Sequence, residues 1–148
     1  MDNNSIIKAD GTQYVVVDIG IEQYGIDIKY VDNIVRMQKI TRVPKAQRYY
    51  EGVINLRGEI VPVMSLRKKF GFEPDPLGDK TRIIILKPEH ESIGVIVDAV
   101  REVIVFSEAE IEKIYSDGKD DRAKYISEVG KTQEGLVSLL NVNGIITD

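Results

Sequence analysis

The chain contains an internal repeat. When Tyr14 is laid on Ile83, an offset of 69 positions, the string YVVV falls on IIIL, and YGIDIKYVDNIV then aligns with IGVIVDAVREVI without a gap. Gly25 falls on Gly94, and the alternating aliphatic residues that follow each glycine coincide. Chance similarity between strings rich in Val and Ile is the alternative, but it leaves the matching glycines and turn positions unexplained. The repeat therefore predicts two copies of one small unit.

The end of each copy aligns at a second offset. IVPVMS from Ile60 matches LVSLLN from Leu136 at an offset of 76, seven more than the first offset of 69. At this offset Ser65 falls on Asn141, and both residue types are good helix N-caps because their side-chain oxygens accept from free backbone N–H groups. We therefore expect each copy to end in a short helix.

The repeat also sets the expected domain organisation. A chain of 148 residues fits one compact domain. We expect that single domain to span 1–148 and to consist of two similar subdomains, at about 14–71 and 83–146. Residues 1–12 are expected to form a flexible N-terminal tail.

Short strand signals dominate both copies. YVVVDIG, EIVPVM, RIIIL and EVIVF are rich in Val and Ile, have the length of strands, and are separated by Gly, Pro, Asp or charged residues. They predict a mainly β fold of the barrel or sandwich type. A helix is predicted from Ser107, where Ser and Glu stand three residues apart as in a capping box. Polar loops are predicted over 72–80 and 115–125.

The sequence offers little for catalysis or metal binding. It has no cysteine, and its one histidine, His90, lies in a predicted hairpin loop where a solvated side chain is the simpler interpretation. The carboxylates of 117–121 lack the order of a calcium loop, and GKT at 130–132 lacks the preceding glycine of a phosphate loop. We expect no enzymatic activity, no metal and no cofactor, and interpret the chain as an interaction module.

The charge pattern leaves a rival hypothesis open. The net charge of −4 disfavours general nucleic-acid binding, which depends on a basic surface. The stretch 36–48 nevertheless carries five basic and no acidic residues, and it reads either as a solvated loop or as a partner-facing patch. The rival hypothesis is a small β-barrel that binds nucleic acid through this stretch, with Tyr49 and Tyr50 stacking on bases. Its basic residues are Arg36, Lys39, Arg42, Lys45 and Arg48.

The location of the protein is predicted from its N-terminus and its apolar runs. The first residues, MDNNSIIKADGTQ, lack the basic and continuous apolar regions of a signal peptide. Apolar runs such as IGVIV have strand length, far below the roughly 20 residues of a membrane helix. We expect a cytoplasmic protein without direct membrane insertion. The start at Met1 and the completed repeat at Asp148 favour a free-standing protein over a fragment of a larger one.

The segment GVINLRGEIVPV, residues 52–63, places an arginine inside an aliphatic run. Pro62 cannot donate to a sheet ladder, so its strand is predicted to be an edge strand or irregular at that position. Arg57 and Gly58 stand between two apolar strings and predict a tight hairpin with the guanidinium pointing outward. The alternative role for Arg57 is an ion pair within the turn region, with Glu59 or Glu51.

With this segment the chain resembles a known family, the CheW-like chemotaxis coupling proteins, which join chemoreceptors to the histidine kinase CheA. The resemblance is carried in order by YGIDIKYVDNI, RVPKAQRYYEGVINLRGEIVPVMSLRKKFG, IGVIVDAVREVI and LVSLLNVNGII. It extends from about Tyr14 to Ile146, and the middle string is the most specific. The resemblance implies two intertwined five-stranded SH3-like β-barrels with short helices and no enzymatic activity.

The resemblance also implies a receptor-binding site in a groove between the two barrels. The family's site positions fall on Val31, Asn33 and Arg57, to which we add Gly58 beside the arginine and Val100, the repeat counterpart of Val31. Asn33 departs from the family, which usually has Glu at this position, so an ion pair there is not expected. The expected partner is the cytoplasmic tip of chemoreceptors, the methyl-accepting chemotaxis proteins.

A kinase-binding face is implied on one barrel. We expect it around Ile40, Val43 and Gly52, where the chain follows the family pattern more loosely. The expected partner is the regulatory domain of CheA, itself a similar double barrel.

Overall fold

The computed structural model describes residues 11–73, 77–114 and 124–146. The predicted tail over 1–12 and the loop over 115–125 fall almost wholly outside these residues. In the described part, strands far outnumber helices, which confirms the mainly β prediction. The strands are β1 (Thr12–Ile19), β2 (Glu22–Asp27), β3 (Val31–Arg36), β4 (Tyr50–Leu56), β5 (Glu59–Ser65), β6 (Arg82–Leu86), β7 (Ile93–Val97), β8 (Ala99–Phe106), β9 (Ile111–Lys113), β10 (Ile126–Thr132) and β11 (Gly135–Leu140).

One short α-helix follows the last strand of each repeat. The two helices are α1 (Leu66–Lys69) and α2 (Val142–Ile146). The Ser65 hydroxyl accepts from the backbone N–H of Lys68 at 3.2 Å, and Asn141 Oδ1 accepts from Gly144 at the same distance. The prediction that these two residues cap short helices is confirmed.

The strands form two sheets, each of which takes strands from both halves of the chain. Sheet A has the order β8-β1-β2-β11-β10-β9, and sheet B has the order β3-β6-β7-β5-β4. Each sheet thus combines the first two strands of one repeat with later strands of the other. The intertwining implied by the family resemblance is confirmed. The expected five strands are found in sheet B only, because β9 makes sheet A six-stranded.

The two repeats match in detail. In β3 the pairing register shifts between Val31 and Asn33, and in β8 it shifts between their counterparts Val100 and Glu102. The first strands of the two repeats, β1 and β6, each pair with the third strand of the other repeat. The last strands of the two repeats, β5 and β11, each run parallel to the second strand of the other repeat.

The chain links the two edges of sheet B through a single bridge. Thr41, which follows β3, exchanges two backbone hydrogen bonds of 2.8 Å with Val53 in β4. At the equivalent place in sheet A, the three residues of β9 pair with β10. Gly52 makes the sheet B bridge possible. A Cβ there would lie 2.1 Å from the Thr41 carbonyl oxygen, and the backbone φ is +142°.

The core has a central part and two smaller parts. The central cluster contains residues of both sheets, such as Val17 of β1 and Ile84 of β6. A second cluster, around Val16 and Phe106, belongs to sheet A, and a third, around Ile54 and Ile83, belongs to sheet B. Each sheet therefore packs one face on the shared core and the other on its own small core, a burial on two faces that explains the continuous aliphatic strings.

Two local predictions need correction. The helix predicted from Ser107 is only one 3₁₀ turn, Glu108–Glu110, followed by strand β9. The Glu110 carboxylate does accept from the Ser107 backbone N–H at 2.8 Å, but pairing with β10 then extends the chain. β5 is not an edge strand, because it lies between β4 and β7. Its pairing with β7 starts at Val63, however, so Pro62 has no partner on that side, in line with the predicted irregularity.

Candidate functional site

The hairpin between β4 and β5 exposes the most distinctive charge of the sequence. Arg57 and Gly58 form its two-residue turn, with φ values of +54° and +85° that are typical of a type I′ turn. The Asn55 carboxamide oxygen accepts from the Gly58 N–H at 3.0 Å and fixes the turn. A positive φ is uncommon for arginine. The hairpin therefore holds Arg57 at its tip at some conformational cost, and such strain is often found at functional positions.

The guanidinium of Arg57 has no ion-pair partner among the described residues. Glu51, one of the two carboxylates considered from the sequence, lies 2.7 Å from Lys68 Nζ instead. No ion pair joins Arg57 and Glu59 in the described part of the chain. Ile60, next to this tip, exposes 65% of its surface. Sequence reasoning missed this residue, although its position out of phase with Val61 and Val63 could have revealed it.

Val31 and Val100 occupy equivalent places near the starts of β3 and β8. Both are half-buried and pack against the central cluster shared by the two sheets. Asn33 is also half-buried, and its side-chain oxygen accepts from the Ile34 N–H at 2.9 Å. This contact orients the amide toward its own backbone and leaves the side-chain NH₂ group as the possible donor.

Val31 and the Arg57–Gly58 tip lie at one end of sheet B, whereas Val100 belongs to β8 of sheet A, so the predicted receptor residues do not form one contiguous contact. The pairing registers put Val31 level with Leu86 and Ile93, and the β4–β5 tip extends beyond this end of the sheet. Three strand steps separate β3 from β5, which corresponds to roughly 14 Å along the sheet. A partner that touches both Val31 and Arg57 must therefore span this end of the sheet.

The predicted kinase residues lie on or under one segment, residues 37–49, which we call the strap. The strap leaves β3, forms the bridge at Thr41 and returns to the start of β4. Val43 is 47% exposed, whereas Ile40 is half-buried and packs against the small core of sheet B. Gly52 is buried under Ile40 and Thr41. Its geometry gives Gly52 a structural role as the residue that lets the strap cross β4.

The strap carries most of the local positive charge. Its basic residues and Arg36 before it are exposed, and none of the five forms an ion pair with another described residue. Tyr49 and Tyr50 lie against each other with ring centroids 5.0 Å apart. The Lys69 ammonium lies 3.8 Å from the centroid of the Tyr49 ring. The two tyrosines are thus packed as part of the structure, which weakens their predicted role in base stacking.

A bidentate ion pair that the sequence did not predict joins the two halves. Arg67 of α1 donates from Nη2 to Asp98 Oδ2 at 2.7 Å and from Nε to Oδ1 at 3.0 Å. Asp98 Oδ2 also accepts from the Gly20 N–H at 2.7 Å, and Arg67 Nη1 donates to the Glu73 carbonyl. Asp98 is thus a structural partner of Arg67. The sequence did not predict this contact because the two residues are 31 positions apart.

The described residues contain neither a metal site nor a membrane-spanning helix. In 11–73, 77–114 and 124–146, no three His, Cys, Asp or Glu residues are grouped so that they could hold a metal ion. No helix in the same ranges has the length and apolar character needed to cross a bilayer. His90 is exposed in the loop between β6 and β7. The carboxylates of 117–121 lie outside the described residues.

Comparison with known proteins identifies the family. The family described as the CheW-like domain matches residues 13–148. The chain belongs to the CheW-like family. It is 34% identical to the chemotaxis protein CheW of Bacillus subtilis, with 92% of this chain and 87% of the relative covered. It is 30% identical to CheW of Helicobacter pylori, with 98% and 84% covered.

A solved structure has the same fold. The crystal structure of the scaffolding protein TtCheW from Thermoanaerobacter tengcongensis superposes with a TM-score of 0.85 at 33% identity. The match covers 93% of this chain and 94% of TtCheW. Membership of the CheW-like family makes the chain a non-enzymatic coupling adaptor of chemotaxis signalling. The nucleic-acid alternative finds no support among these relatives.

Proposed function

We propose that this CheW-like protein couples the cytoplasmic tips of chemoreceptors to the regulatory domain of the histidine kinase CheA and supports receptor control of kinase activity. It acts in the cytoplasm, at membrane-associated receptor arrays. The observation that carries the proposal is Arg57, an exposed cation without an ion-pair partner among the described residues, on a turn fixed by Asn55.

The receptor contact is proposed at the end of sheet B that carries Val31 and the hairpin tip. Ile60 supplies exposed apolar area on the same hairpin as Arg57. A helical receptor tip buries an apolar stripe and presents polar residues beside it, so it fits a surface that combines these two features. Because the hairpin is fixed before binding, little conformational entropy is lost when Arg57 is engaged.

The kinase contact is proposed at the strap. Ile40 and Val43 offer apolar contact area, and the strap is held by the Thr41–Val53 bridge and by a 2.8 Å bond from the Ser65 N–H to the Tyr49 carbonyl. Gly52 contributes indirectly, because it allows the strap to cross β4 at close range. The two contacts lie on different parts of sheet B, so one molecule can bind both partners at once.

The proposal is tested by reconstitution. A receptor signalling fragment and CheA are combined with the full chain, and kinase activity and co-sedimentation are measured. We expect Arg57→Glu to weaken receptor capture about 10-fold or more, since charge reversal at a contact costs at least ~1.4 kcal/mol. Its free energy of unfolding should change by less than about 0.5 kcal/mol, because the side chain is exposed.

Gln133 provides a matched control. It occupies the equivalent hairpin tip of sheet A, at an offset of 76 from Arg57, and Gln133→Glu introduces the same carboxylate side chain without altering sheet B. We expect this variant to capture receptor as the wild type does. Equal capture by wild type and Arg57→Glu would remove the proposed role of Arg57. If the wild-type chain neither co-sediments with receptor and CheA nor enhances kinase activity, the coupling function itself is wrong.

A further inference from the structure

Two residues of the strap, Met37 and Ile40, line a cavity beside sheet B. The cavity has a volume of about 180 Å³. Its apolar lining consists of Met37, Ile40, Leu77 and Ile96. Because an engineered apolar cavity of ~150 Å³ holds a benzene molecule, this space is large enough for one aromatic ring.

Two ion pairs stand in the wall of this cavity. They are Arg67 with Asp98 and Lys68 with Glu51, each with a shortest N–O distance of 2.7 Å. Both pairs are partly buried. Their charged groups form most of the polar part of the cavity lining.

A basic depression adjoins the cavity. Arg42, Lys45, Arg48 and Lys68 line it together with Glu51, so that four cations face one carboxylate. Lys68 and Glu51 also line the cavity, so the two spaces share a wall. None of the three strap cations forms an ion pair among the described residues. A concentration of positive charge on a protein of net charge −4 indicates an acidic partner.

We propose that the cavity and the basic depression together form one docking site for an acidic peptide segment that carries a single aromatic side chain. The ring enters the cavity above Met37, and carboxylates on neighbouring residues bind the strap cations. An extended peptide advances about 3.3 Å per residue, so the acidic residues stand within two or three positions of the ring.

A peptide fits this site better than a nucleic acid does. The cavity requires a compact apolar group on a flexible chain, whereas bases stack on flat aromatic surfaces. Tyr49 and Tyr50 lie against each other, and Tyr49 also lies under the Lys69 ammonium. The overall negative charge of the protein repels a long polyanion but acts weakly on a short acidic segment beside the strap.

The site lies on the surface proposed to bind the kinase, and the inference deepens that proposal by naming the chemistry of the bound segment. It is tested with a peptide, without kinase or receptor, so either proposal can fail alone. The full chain, labelled with ¹⁵N, is titrated with the capped peptide acetyl-EEFEE-amide. We expect saturable shifts of the amide signals of Ile40, Lys68 and Ile96.

Two control peptides separate the two parts of the site. Acetyl-EEAEE-amide lacks the ring and acetyl-QQFQQ-amide lacks the charge. Each should bind at least ~10-fold more weakly, because burial of the ring and attraction of the carboxylates both contribute. Equal binding by either control overturns the proposal, as does the absence of saturable shifts at millimolar peptide. A single-stranded oligonucleotide that produces the same shifts at lower concentration overturns it in favour of a nucleic-acid site.

Variants of the chain complete the test. Met37→Trp fills the cavity and should abolish the ring-dependent part of binding. The double variant Arg42→Glu and Arg48→Glu changes only exposed residues, and it should reduce binding of acetyl-EEFEE-amide more than 10-fold even if Met37→Trp fails to fold. Lys113→Glu, on the equivalent closing strand of sheet A, should bind as the wild type does. Unchanged binding by the double variant overturns the proposal.

Discussion

Sheets A and B share one frame but fill it differently. In sheet A, Phe106 is 1% exposed and its ring lies where a Cβ on Gly130 would approach within 2.6 Å. The repeat offsets place Met37 and Ile54 of sheet B at these two positions. A large ring beside a glycine in one sheet thus corresponds to two medium side chains in the other. The strand pairing tolerates this exchange of bulk because backbone hydrogen bonds, and not particular side chains, define the ladders.

The segment that pairs with β10 in sheet A and the strap, which pairs with β4 in sheet B, differ more than the sheets themselves. We call these two the closing segments of the sheets. In sheet A the closing segment includes Glu108, Glu110 and Glu112 and forms a regular strand in β9. In sheet B it is the strap, which is basic and pairs with β4 only at the Thr41–Val53 bridge among the described residues. Residues in such segments are less constrained by packing than those in the strands. The comparison teaches that two sheets with equivalent strand pairing can carry closing segments of opposite charge.

The largest effect on stability is expected at the Thr41–Val53 bridge of sheet B. Gly52→Ala should lower the free energy of unfolding by about 2–4 kcal/mol, because the added Cβ collides with Thr41 and the positive φ is unfavourable for alanine. Glu128, the counterpart of Gly52 in sheet A, already carries a side chain, and Glu128→Ala should change stability by less than about 0.5 kcal/mol. Denaturant unfolding of both variants measures the difference. Equal losses of unfolding free energy would show that the two closing segments depend on these positions to the same extent.

The second largest effect on stability is expected from the more buried of two ion pairs. Arg67 and Asp98 have side chains 17% and 22% exposed, so Arg67→Ala should cost about 1–3 kcal/mol. The pair of Arg101 with Asp18, at 2.7 Å, has an arginine side chain that is 51% exposed. Arg101→Ala should leave the denaturation midpoint unchanged because solvent screens exposed pairs. A midpoint shift for Arg101→Ala as large as that for Arg67→Ala would contradict this ranking.

The smallest effect concerns one tyrosine in each sheet. Burial raises the pKa of Tyr14 and of Tyr50 above 10.0, and Asp27 and Glu128 raise the pKa of Tyr14 further. Since both phenols favour the neutral form in the folded state, their contribution to stability is complete below pH 10 and is lost as the pH rises through the folded pKa. Tyr49 is the one coulombic cause for Tyr50, whereas Asp27 and Glu128 both act on Tyr14, so added salt should lower the pKa of Tyr14 more than that of Tyr50.

The salt effect can be measured by ultraviolet titration of tyrosinate. Tyr14→Phe and Tyr50→Phe variants assign the two late-titrating groups. A pKa of Tyr50 that falls with salt as much as that of Tyr14 would mean that the electrostatic surroundings of the two tyrosines do not differ.

The sequence predicted the order of the strands, turns and caps well, because residue periodicity and turn residues indicate these local features directly. The repeat offsets, the hairpin at Arg57 and the caps Ser65 and Asn141 all depend on local patterns. The helix predicted from Ser107 was wrong because its capping box is compatible with a single 3₁₀ turn, and the pairing of β9 with a strand far along the chain decided the rest. A local motif does not contain that information.

The candidate site was less predictable than the frame. The exposure of Arg57 follows from a local turn, and the structure agrees with it, although the roles of Val31, Asn33, Val100 and Arg57 in receptor binding stay predictions. The cavity that Met37 lines is formed by residues that come together only in the folded chain. The same is true of the contact between Arg67 and Asp98.

The exchange of strands between the halves sets the order in which the protein can be completed during synthesis. Every strand of sheet B has left the ribosome once Val97 emerges, but sheet A must wait for β11, which ends at Leu140. At ~5–20 residues per second, the 43 residues from Asp98 to Leu140 take roughly 2–9 s. Throughout this time β2, among the first strands made, lacks its β11 neighbour. The nascent chain thus exposes an aggregation-prone strand edge until β11 has emerged.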